Sequence, residues 1–223
     1  MSALADRLAA VRAAIAETAA AAGRSPDELT TVVVTKFQPA SLVAELAELG
    51  VRDIGENRHQ EAQAKAAELA GLGLRWHFVG QLQSKKARQA LAYASVIHSV
   101  DRPGLVDALR SDAASVDCFV QVNLTDDPGR GGVAPNELDA LVERVLATSG
   151  LRLLGLMAVA PLGEPARPAF ARMREYSERI RRIAPEARGL SMGMSHDYRD
   201  AISEGATHLR IGTAITGNRP VAG

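Results

Sequence analysis

The feature that most constrains this fold is a regular alternation of two kinds of segment. Short, continuously apolar runs are typical of strands buried on both faces, and eight of them lie at about 31–36, 51–55, 75–80, 95–100, 117–124, 151–159, 188–192 and 207–212. Amphipathic, alanine-rich segments indicate helices between them, at about 40–49, 57–70, 83–93, 102–113, 135–148, 166–183 and 196–204.

This alternation predicts a parallel α/β protein. Eight strands favour a closed (β/α)8 barrel of the TIM type over an open doubly wound sheet. Residues 3–22 carry leucines, a valine and an isoleucine at helical spacing, and this extra N-terminal helix would take the outer position after the eighth strand. Since no linker, low-complexity tract or internal repeat divides the chain, we expect residues 1–223 to form a single domain.

Charge and cysteine content exclude several classes of function. The 26 basic residues are dispersed and balanced by 26 acidic ones, which argues against nucleic acid or an anionic membrane as the main partner. Cys118 is the only cysteine, so it forms no intrachain disulfide, and its apolar surroundings predict a buried structural thiol. The histidines show no metal spacing, and no segment has the pattern of a leader or a membrane span. We expect a cytoplasmic monomer.

The lysines differ in their expected surroundings. Lys65, Lys85 and Lys86 lie in polar, helix-like segments, and we expect them to be solvated. Lys36 ends the first strand-like run, where burial would disfavour the ammonium form, lower the pKa and leave a nucleophilic amine. The alternative is a strand-end lysine whose ammonium reaches solvent or pairs with a carboxylate.

Small and hydroxyl-bearing residues follow the last two strand-like runs. In a TIM barrel the functional groups lie after the strands, and phosphate groups bind in the loops after strands seven and eight. Gly193 and Gly212 would let backbone amides approach an anion, and Ser195 and Thr213 add hydroxyl donors. Tight packing at the barrel closure is the alternative explanation for Gly212. Taken together, the two loops predict a phosphate site.

An amine across the barrel from a phosphate site fits two chemistries. Pyridoxal 5′-phosphate (PLP) forms a Schiff base between its aldehyde and a lysine, and its phosphate needs an anion site. A Schiff-base aldolase acting on a phosphosugar would need the same pair of groups. The residue types alone leave both open.

Several motifs occur here in the order in which one family has them: Thr35-Lys36, Ile54-Gly55-Glu56-Asn57, Trp76-His77-Phe78-Val79-Gly80-Gln81-Leu82-Gln83, Leu190-Ser191-Met192-Gly193-Met194-Ser195 and Arg210-Ile211-Gly212-Thr213-Ala214-Ile215. From about residue 30 to 219 the chain resembles the pyridoxal-phosphate homeostasis proteins, single-barrel relatives of the alanine racemase N-terminal domain. The resemblance implies that the protein binds PLP and buffers it or delivers it to PLP-dependent apoenzymes.

The resemblance also implies roles for individual residues. Lys36 would be the Schiff-base lysine, and Asn57 would contact the cofactor near its ring. Arg210 would face the pyridine nitrogen, where its permanent charge disfavours protonation and weakens the ring as an electron sink. The phosphate would be held by the Met194 backbone, Ser195, Gly212 and Thr213.

A weak amino-acid racemase or another PLP-dependent enzyme is the alternative function. Two-base racemisation needs an acid/base group opposite the lysine, which in alanine racemase is a tyrosine from an additional C-terminal domain. This sequence ends about ten residues after the phosphate loop, so we expect no such domain. Tyr93 and Tyr176 fall inside predicted helices, and Tyr198 begins an outer helix, a poor place for a base. We therefore expect a carrier without catalytic residues.

Two further polar residues near the predicted site have structural interpretations. His77 lies on the third strand-like run and is interpreted as a hydrogen-bonded core histidine. Glu56 follows the second run, and we expect its carboxylate to cap the next helix.

Overall fold

Eight parallel strands close into a barrel in the computed structural model, which describes residues 2–125, 127 and 129–218. Each strand pairs with the next along the chain, and the eighth pairs with the first through Thr30↔His208 and Val33↔Ile211. The strands are β1 (Thr30–Val34), β2 (Asp53–Glu56), β3 (Arg75–Phe78), β4 (Val96–Val100), β5 (Val116–Gln121), β6 (Leu151–Met157), β7 (Gly189–Ser191) and β8 (His208–Ile211). The predicted (β/α)8 barrel is confirmed.

The helices surround this barrel. They are α1 (Ala3–Ala21), α2 (Ala40–Glu48), α3 (His59–Glu68), α4 (Ala87–Ala90), α5 (Pro103–Leu109), α6 (Leu138–Leu146), α7 (Ala166–Ile180), α8 (Tyr198–Ser203) and α9 (Thr213–Thr216). The helix predicted over 83–93 is shorter, a 3-10 turn at Ser84–Lys86 followed by α4. The short α9 was not predicted, because four residues are too few to show a helical period.

Helix α1 takes the outer position after β8, as the sequence predicts. It packs against α8 and α9, and the Arg7 Nε–H donates to the Ile215 carbonyl at 2.7 Å. The start of α1 is capped by Ser2, whose side chain accepts from the Ala5 amide. None of the helices in the described ranges has the length and apolar character that a membrane span requires.

The buried side chains divide into two layers. The outer layer lies between the strands and the helices and is almost entirely apolar; Val33, Leu46, Ile54 and Phe170 are among its fully buried members. The barrel interior has a smaller apolar cluster, formed by Val96, Phe119 and Met157. Buried polar side chains also lie in the interior, namely those of His77, His98, Ser191 and Arg210. Cys118 is buried, and burial raises the pKa of its thiol to about 12, so it is the structural thiol that the sequence predicts.

Candidate functional site

Lys36 lies in a tight turn directly after β1. The Gln38 amide donates to the Thr35 carbonyl at 3.0 Å, which closes a four-residue turn. Phe37 has φ +66°, the one positive value at a non-glycine residue in the described part of the chain. The Lys36 side chain is exposed. The expected burial of Lys36 is therefore wrong: two residues past the last strand residue, the chain has already turned into the open mouth of the barrel.

Helix α3 and the residue before it hold this turn from outside. The Lys65 ammonium donates to the Thr35 carbonyl at 2.9 Å. A Glu61 carboxylate oxygen accepts from the Phe37 amide at 3.2 Å, and the Arg58 guanidinium lies 4.8 Å from the centre of the Phe37 ring. These contacts support a backbone conformation that ordinary side chains rarely adopt. The amine of Lys36 thus projects from a fixed backbone.

Lys65 is buried, which corrects the expectation that it is solvated. Its ammonium lies 2.6 Å from the Glu56 carboxylate, which also accepts from the Thr35 hydroxyl at 2.6 Å. Glu56 therefore pairs with Lys65 instead of capping α3, whose start has no side-chain cap. The sequence signal was present: Lys65 lies between Ala62 and Ala66 on the buried face of α3. Lys85 is exposed, as predicted.

The loop after β7 is shaped by Gly193. Its φ is +93°, and a Cβ there would lie 2.6 Å from the Cβ of Ala201, so a larger residue does not fit. The Met194 amide donates to the Asp197 carboxylate at 2.6 Å. Ser195 is half-buried at the turn into α8. The backbone donor of Met194 thus has a partner within the protein, and Met194 could bind an anion only by giving up that bond.

The loop after β8 lies beside this one and beside the end of β1. The Arg210 amide donates to the Gly193 carbonyl at 2.9 Å, which joins the two loops. A Cβ on Gly212 would lie 3.7 Å from the Cβ of Val34, the last residue of β1. Gly212 is also the N-cap of α9, and Thr213 is exposed in its first turn, where amides have no acceptor within the helix.

Asn57 follows β2 at the same end of the barrel. Its backbone packs against Gly80, where a Cβ would lie 2.1 Å from the Asn57 carbonyl oxygen. Its side-chain oxygen Oδ1 is buried and has no hydrogen-bond partner among the described residues. Buried polar atoms are nearly always hydrogen-bonded. The structure thus leaves an acceptor at Asn57 for a donor that the described residues do not supply.

Arg210 points into the barrel and is buried. One terminal nitrogen, Nη1, donates to the Ser191 hydroxyl at 2.7 Å, and Nη2 donates to the Ala158 carbonyl at 2.8 Å. Burial lowers its pKa to about 10, partly offset by the charge of Asp197. The guanidinium is therefore cationic at neutral pH. Beyond Ser191 lie buried histidines that sequence reasoning did not connect with Arg210.

The arrangement brings the predicted site residues to one end of the barrel. Lys36 follows β1, Asn57 follows the adjacent β2, and the loops after β7 and β8 complete the same side because β8 pairs with β1. An exposed amine, an unpartnered acceptor and a buried cation there could bind a small anionic carbonyl compound. The polar and small residues after four neighbouring strands are the part of the site that the sequence identified.

The chain is similar to known proteins over nearly its whole length. The family model described as alanine racemase, N-terminal domain, matches residues 7–220. The pyridoxal phosphate homeostasis protein of Pseudomonas aeruginosa is 43% identical, over 98% of this chain and 97% of that protein. The protein of the same name from Escherichia coli is 38% identical, with 98% of each chain covered.

Solved structures give the same result. PipY of Synechococcus elongatus is 37% identical and covers 96% of this chain and 100% of its own, with a TM-score of 0.85 without PLP and 0.83 with PLP bound. Alanine racemase of Corynebacterium glutamicum, at 17% identity and a TM-score of 0.73, shares the fold. The chain belongs to the pyridoxal phosphate homeostasis protein family, and its barrel is of the alanine racemase N-terminal-domain type.

Proposed function

We propose that this protein binds PLP, holds it as a Schiff base on Lys36, and buffers it or delivers it to PLP-dependent apoenzymes. The relatives at about 40% identity are named for pyridoxal phosphate homeostasis, and PipY has been solved with PLP bound. The observation that carries the proposal is the exposed Lys36 amine at the same barrel end as the two glycine-bearing loops.

The residues present fit this cofactor. The unpartnered Oδ1 of Asn57 supplies an acceptor near the ring. Gly212 leaves the loop after β8 without a side chain, so that a phosphate can approach its backbone, and Gly193 lets the loop after β7 pack closely against α8. We assign the phosphate to Ser195, Gly212, Thr213 and the Met194 backbone, whose amide would give up its bond to the Asp197 carboxylate. We place Arg210 beside the pyridine nitrogen. When bound, the cofactor supplies an aldehyde that forms an imine with an amine.

The exposure of Lys36 favours a carrier over an enzyme. A carrier exchanges its cofactor with incoming amines or water, which requires an accessible amine, whereas catalysis on PLP benefits from a closed site. The tyrosines supply no obvious second base: the Tyr93 hydroxyl bonds to His59 Nδ1 at 3.2 Å, and Tyr198 starts the outer helix α8. We propose that the chain, residues 1–223, works as one cytoplasmic, monomeric domain without chemistry of its own.

Absorbance after incubation with PLP and desalting tests cofactor binding. We expect a visible imine band in the wild type and in Lys85→Ala, which changes an exposed lysine, and its loss in Lys36→Ala. If none of the three proteins keeps a chromophore, PLP is the wrong ligand and the phosphosugar aldolase becomes the better hypothesis. Borohydride trapping with a sugar phosphate, without added PLP, would then test that reaction.

Deuterium exchange separates carrier from racemase. The loaded protein is incubated in deuterated water with single amino acids, and the label at their α-carbon is measured by mass spectrometry. We expect no exchange above that of free PLP, together with transfer of the cofactor to an added apoenzyme. Exchange that depends on Lys36 and exceeds the free-cofactor rate would establish an enzyme instead.

A further inference from the structure

A continuous chain of hydrogen bonds crosses the barrel interior and ends at Arg210. The Arg210 Nη1 lies 2.7 Å from the Ser191 Oγ, which lies 2.7 Å from the His98 Nδ1. The His98 Nε2 lies 2.9 Å from the His77 Nδ1, and the His77 Nε2 lies 2.9 Å from the Asp53 Oδ1. Five side chains from β2, β3, β4, β7 and β8 thus join a cation at the mouth to a carboxylate at the start of β2.

The residues at the two ends of this hydrogen-bond chain determine which atom carries each proton. Arginine only donates and an ionised carboxylate only accepts, so Asp53 receives the N–H of His77 Nε2. The Nδ1 of His77 is then an acceptor and receives the N–H of His98 Nε2. The Nδ1 of His98 accepts from the Ser191 hydroxyl, whose oxygen accepts from Arg210. Every bond has one donor and one acceptor when both imidazoles are neutral Nε2–H tautomers.

The surroundings agree with neutral imidazoles. His98 is fully buried and stacks on Phe119 at 4.7 Å between ring centres. Burial lowers the pKa of His98 well below its ordinary value, and it lowers the pKa of His77 despite the opposing effect of Asp53. Burial is the largest single influence on the pKa of Asp53 and raises it, but the hydrogen bond from His77 together with neighbouring charges, including that of Arg75, outweighs burial, so the net pKa is lowered.

Other charged groups face the chain as well. The His208 ring lies 6.5 Å from that of His77 and 6.2 Å from that of His98, and the Arg75 guanidinium lies 3.4 Å from the Asp53 carboxylate. Among the described residues, no carboxylate is in ion-pair contact with Arg210; Asp197 favours its charge from further away. The carboxylate bonded to Arg210 through the chain is that of Asp53.

We propose that Ser191, His98, His77 and Asp53 are positioning residues that fix the orientation of the Arg210 guanidinium at the cofactor. This rests on the proposed function, in which Arg210 faces the pyridine nitrogen. Because neutral groups hold Arg210 and the Asp53 carboxylate lies at the far end, the guanidinium has no ion-pair contact at the mouth among the described residues. The donors and acceptors along these hydrogen bonds match in one direction only, from Arg210 to Asp53. The guanidinium therefore keeps its hydrogen bond to Ser191 in a single orientation.

The tautomers can be measured in the cofactor-free protein. With ¹⁵N-labelled histidine, side-chain NMR at pH 7 reports which ring nitrogen carries the proton, and His77→Gln and His98→Gln assign the two signals. We expect both rings as neutral Nε2–H tautomers. A Nδ1–H tautomer or an imidazolium at either residue would overturn the proposed direction of the chain. This result does not depend on whether PLP binds.

The link to the cofactor is tested by Ser191→Ala, which interrupts the chain next to Arg210. We expect PLP affinity to fall about tenfold, the loss of one hydrogen bond to a charged group, and the pH midpoint of the imine band to move. Ser191→Thr keeps a hydroxyl and should restore both. Ser177→Ala, which removes a buried hydroxyl on α7 away from the chain, is the control.

The outcomes separate the two proposals. If the wild type binds no PLP, the proposed function fails whatever the tautomers are. If the wild type binds PLP and Ser191→Ala matches it in affinity and in the pH midpoint, the positioning role is wrong while the cofactor assignment stands. If Ser191→Ala and Ser177→Ala lose affinity equally, the effect is general destabilisation and the positioning role is again wrong.

Discussion

The outer layer and the barrel interior bury different kinds of side chain. The outer layer buries aliphatic and aromatic side chains between strands and helices, where packing holds the fold together. The interior places histidines, a serine and an arginine around a small cluster that includes Phe119. Each of these interior polar groups has a hydrogen-bond partner, and the bonds run from Asp53 to Arg210 at the mouth.

One polar pair breaks this division. Glu56 and Lys65 lie in the outer layer, at its mouth end, and Lys65 also holds the carbonyl before Lys36. Polar groups are thus buried in either layer where they support the residues of the site. Other buried polar groups, such as Ser177, lie away from the site, so the difference between the layers concerns the polar groups that contact site residues, and substitutions in each layer can test it.

The largest effect is expected from breaking the buried ion pair. Lys65→Met leaves Glu56 as an unpaired buried carboxylate, and we expect the free energy of unfolding to fall by about 3–5 kcal/mol. Urea denaturation measures this. Lys85→Met, at an exposed lysine, is the matched control and should leave stability unchanged. If the two variants are equally stable, the Glu56–Lys65 pair contributes nothing to the stability of the outer layer.

The pH dependence of stability tests the interior. Burial lowers the pKa of His208 to about 4, while the unfolded chain titrates near 6.5. Between these values the unfolded state binds more protons, so stability is complete above pH 6.5 and is lost as the pH falls toward 4. For His208 alone the loss is on the order of 3 kcal/mol, and His77 and His98 act in the same direction.

Urea denaturation at several pH values between 7.5 and 4.5 measures this loss. His208→Gln should reduce the acid sensitivity, since one buried group no longer has to be protonated on unfolding. His196→Gln, at an exposed histidine, should keep the wild-type dependence. A stability that is flat across this range would show that the interior histidines are not buried in neutral form.

A small cavity made in the outer layer should lower the stability of the fold without changing its affinity for PLP. Ile54 is fully buried on β2, and Ile54→Val removes one methylene, which costs about 1 kcal/mol of stability. Because the side chain lies on the helix side of the sheet, we expect unchanged PLP affinity, measured by titration of the imine band. A loss of affinity comparable with that of Ser191→Ala would remove the functional distinction between the layers.

The smallest effect is expected at the surface. Arg144 and Asp107 form a bidentate ion pair, with both side chains about half exposed. Solvent and salt screen such pairs, so Asp107→Asn should leave the urea midpoint unchanged within error. A clear destabilisation would mean that surface pairs also contribute to holding the helices on the barrel.

The outer layer could be predicted from the sequence, and much of the interior could not. Continuous apolar runs located all eight strands, because strands buried on both faces have no polar face, and helical spacing of apolar residues located the helix at residues 3–22. The hydrogen-bond chain through His98 joins residues that are distant in sequence, and the Lys65–Glu56 pair joins a helix to the strand before it. Such contacts depend on how strands are arranged in space, and local pattern does not encode that.

The sequence did indicate that polar side chains lie in the barrel interior. His77 and His98 interrupt apolar strand-like runs, and polar residues inside buried strands call for partners. The sequence predicted a hydrogen-bonded His77, which the structure confirms, but not which residues it contacts. Lys36 was predicted as buried because it ends a valine run, and the turn that exposes it depends on Phe37 in a conformation rare for its type.

The central claim is that Lys36 carries the cofactor, and peptide mapping tests it most directly. The protein is incubated with PLP, reduced with borohydride to make the imine permanent, digested, and the peptides are analysed by mass spectrometry. We expect one adduct, on the peptide containing Lys36, and none on Lys65, which is held in the ion pair with Glu56. An adduct mainly on Lys65, Lys85 or Lys86, or none at all, would contradict it.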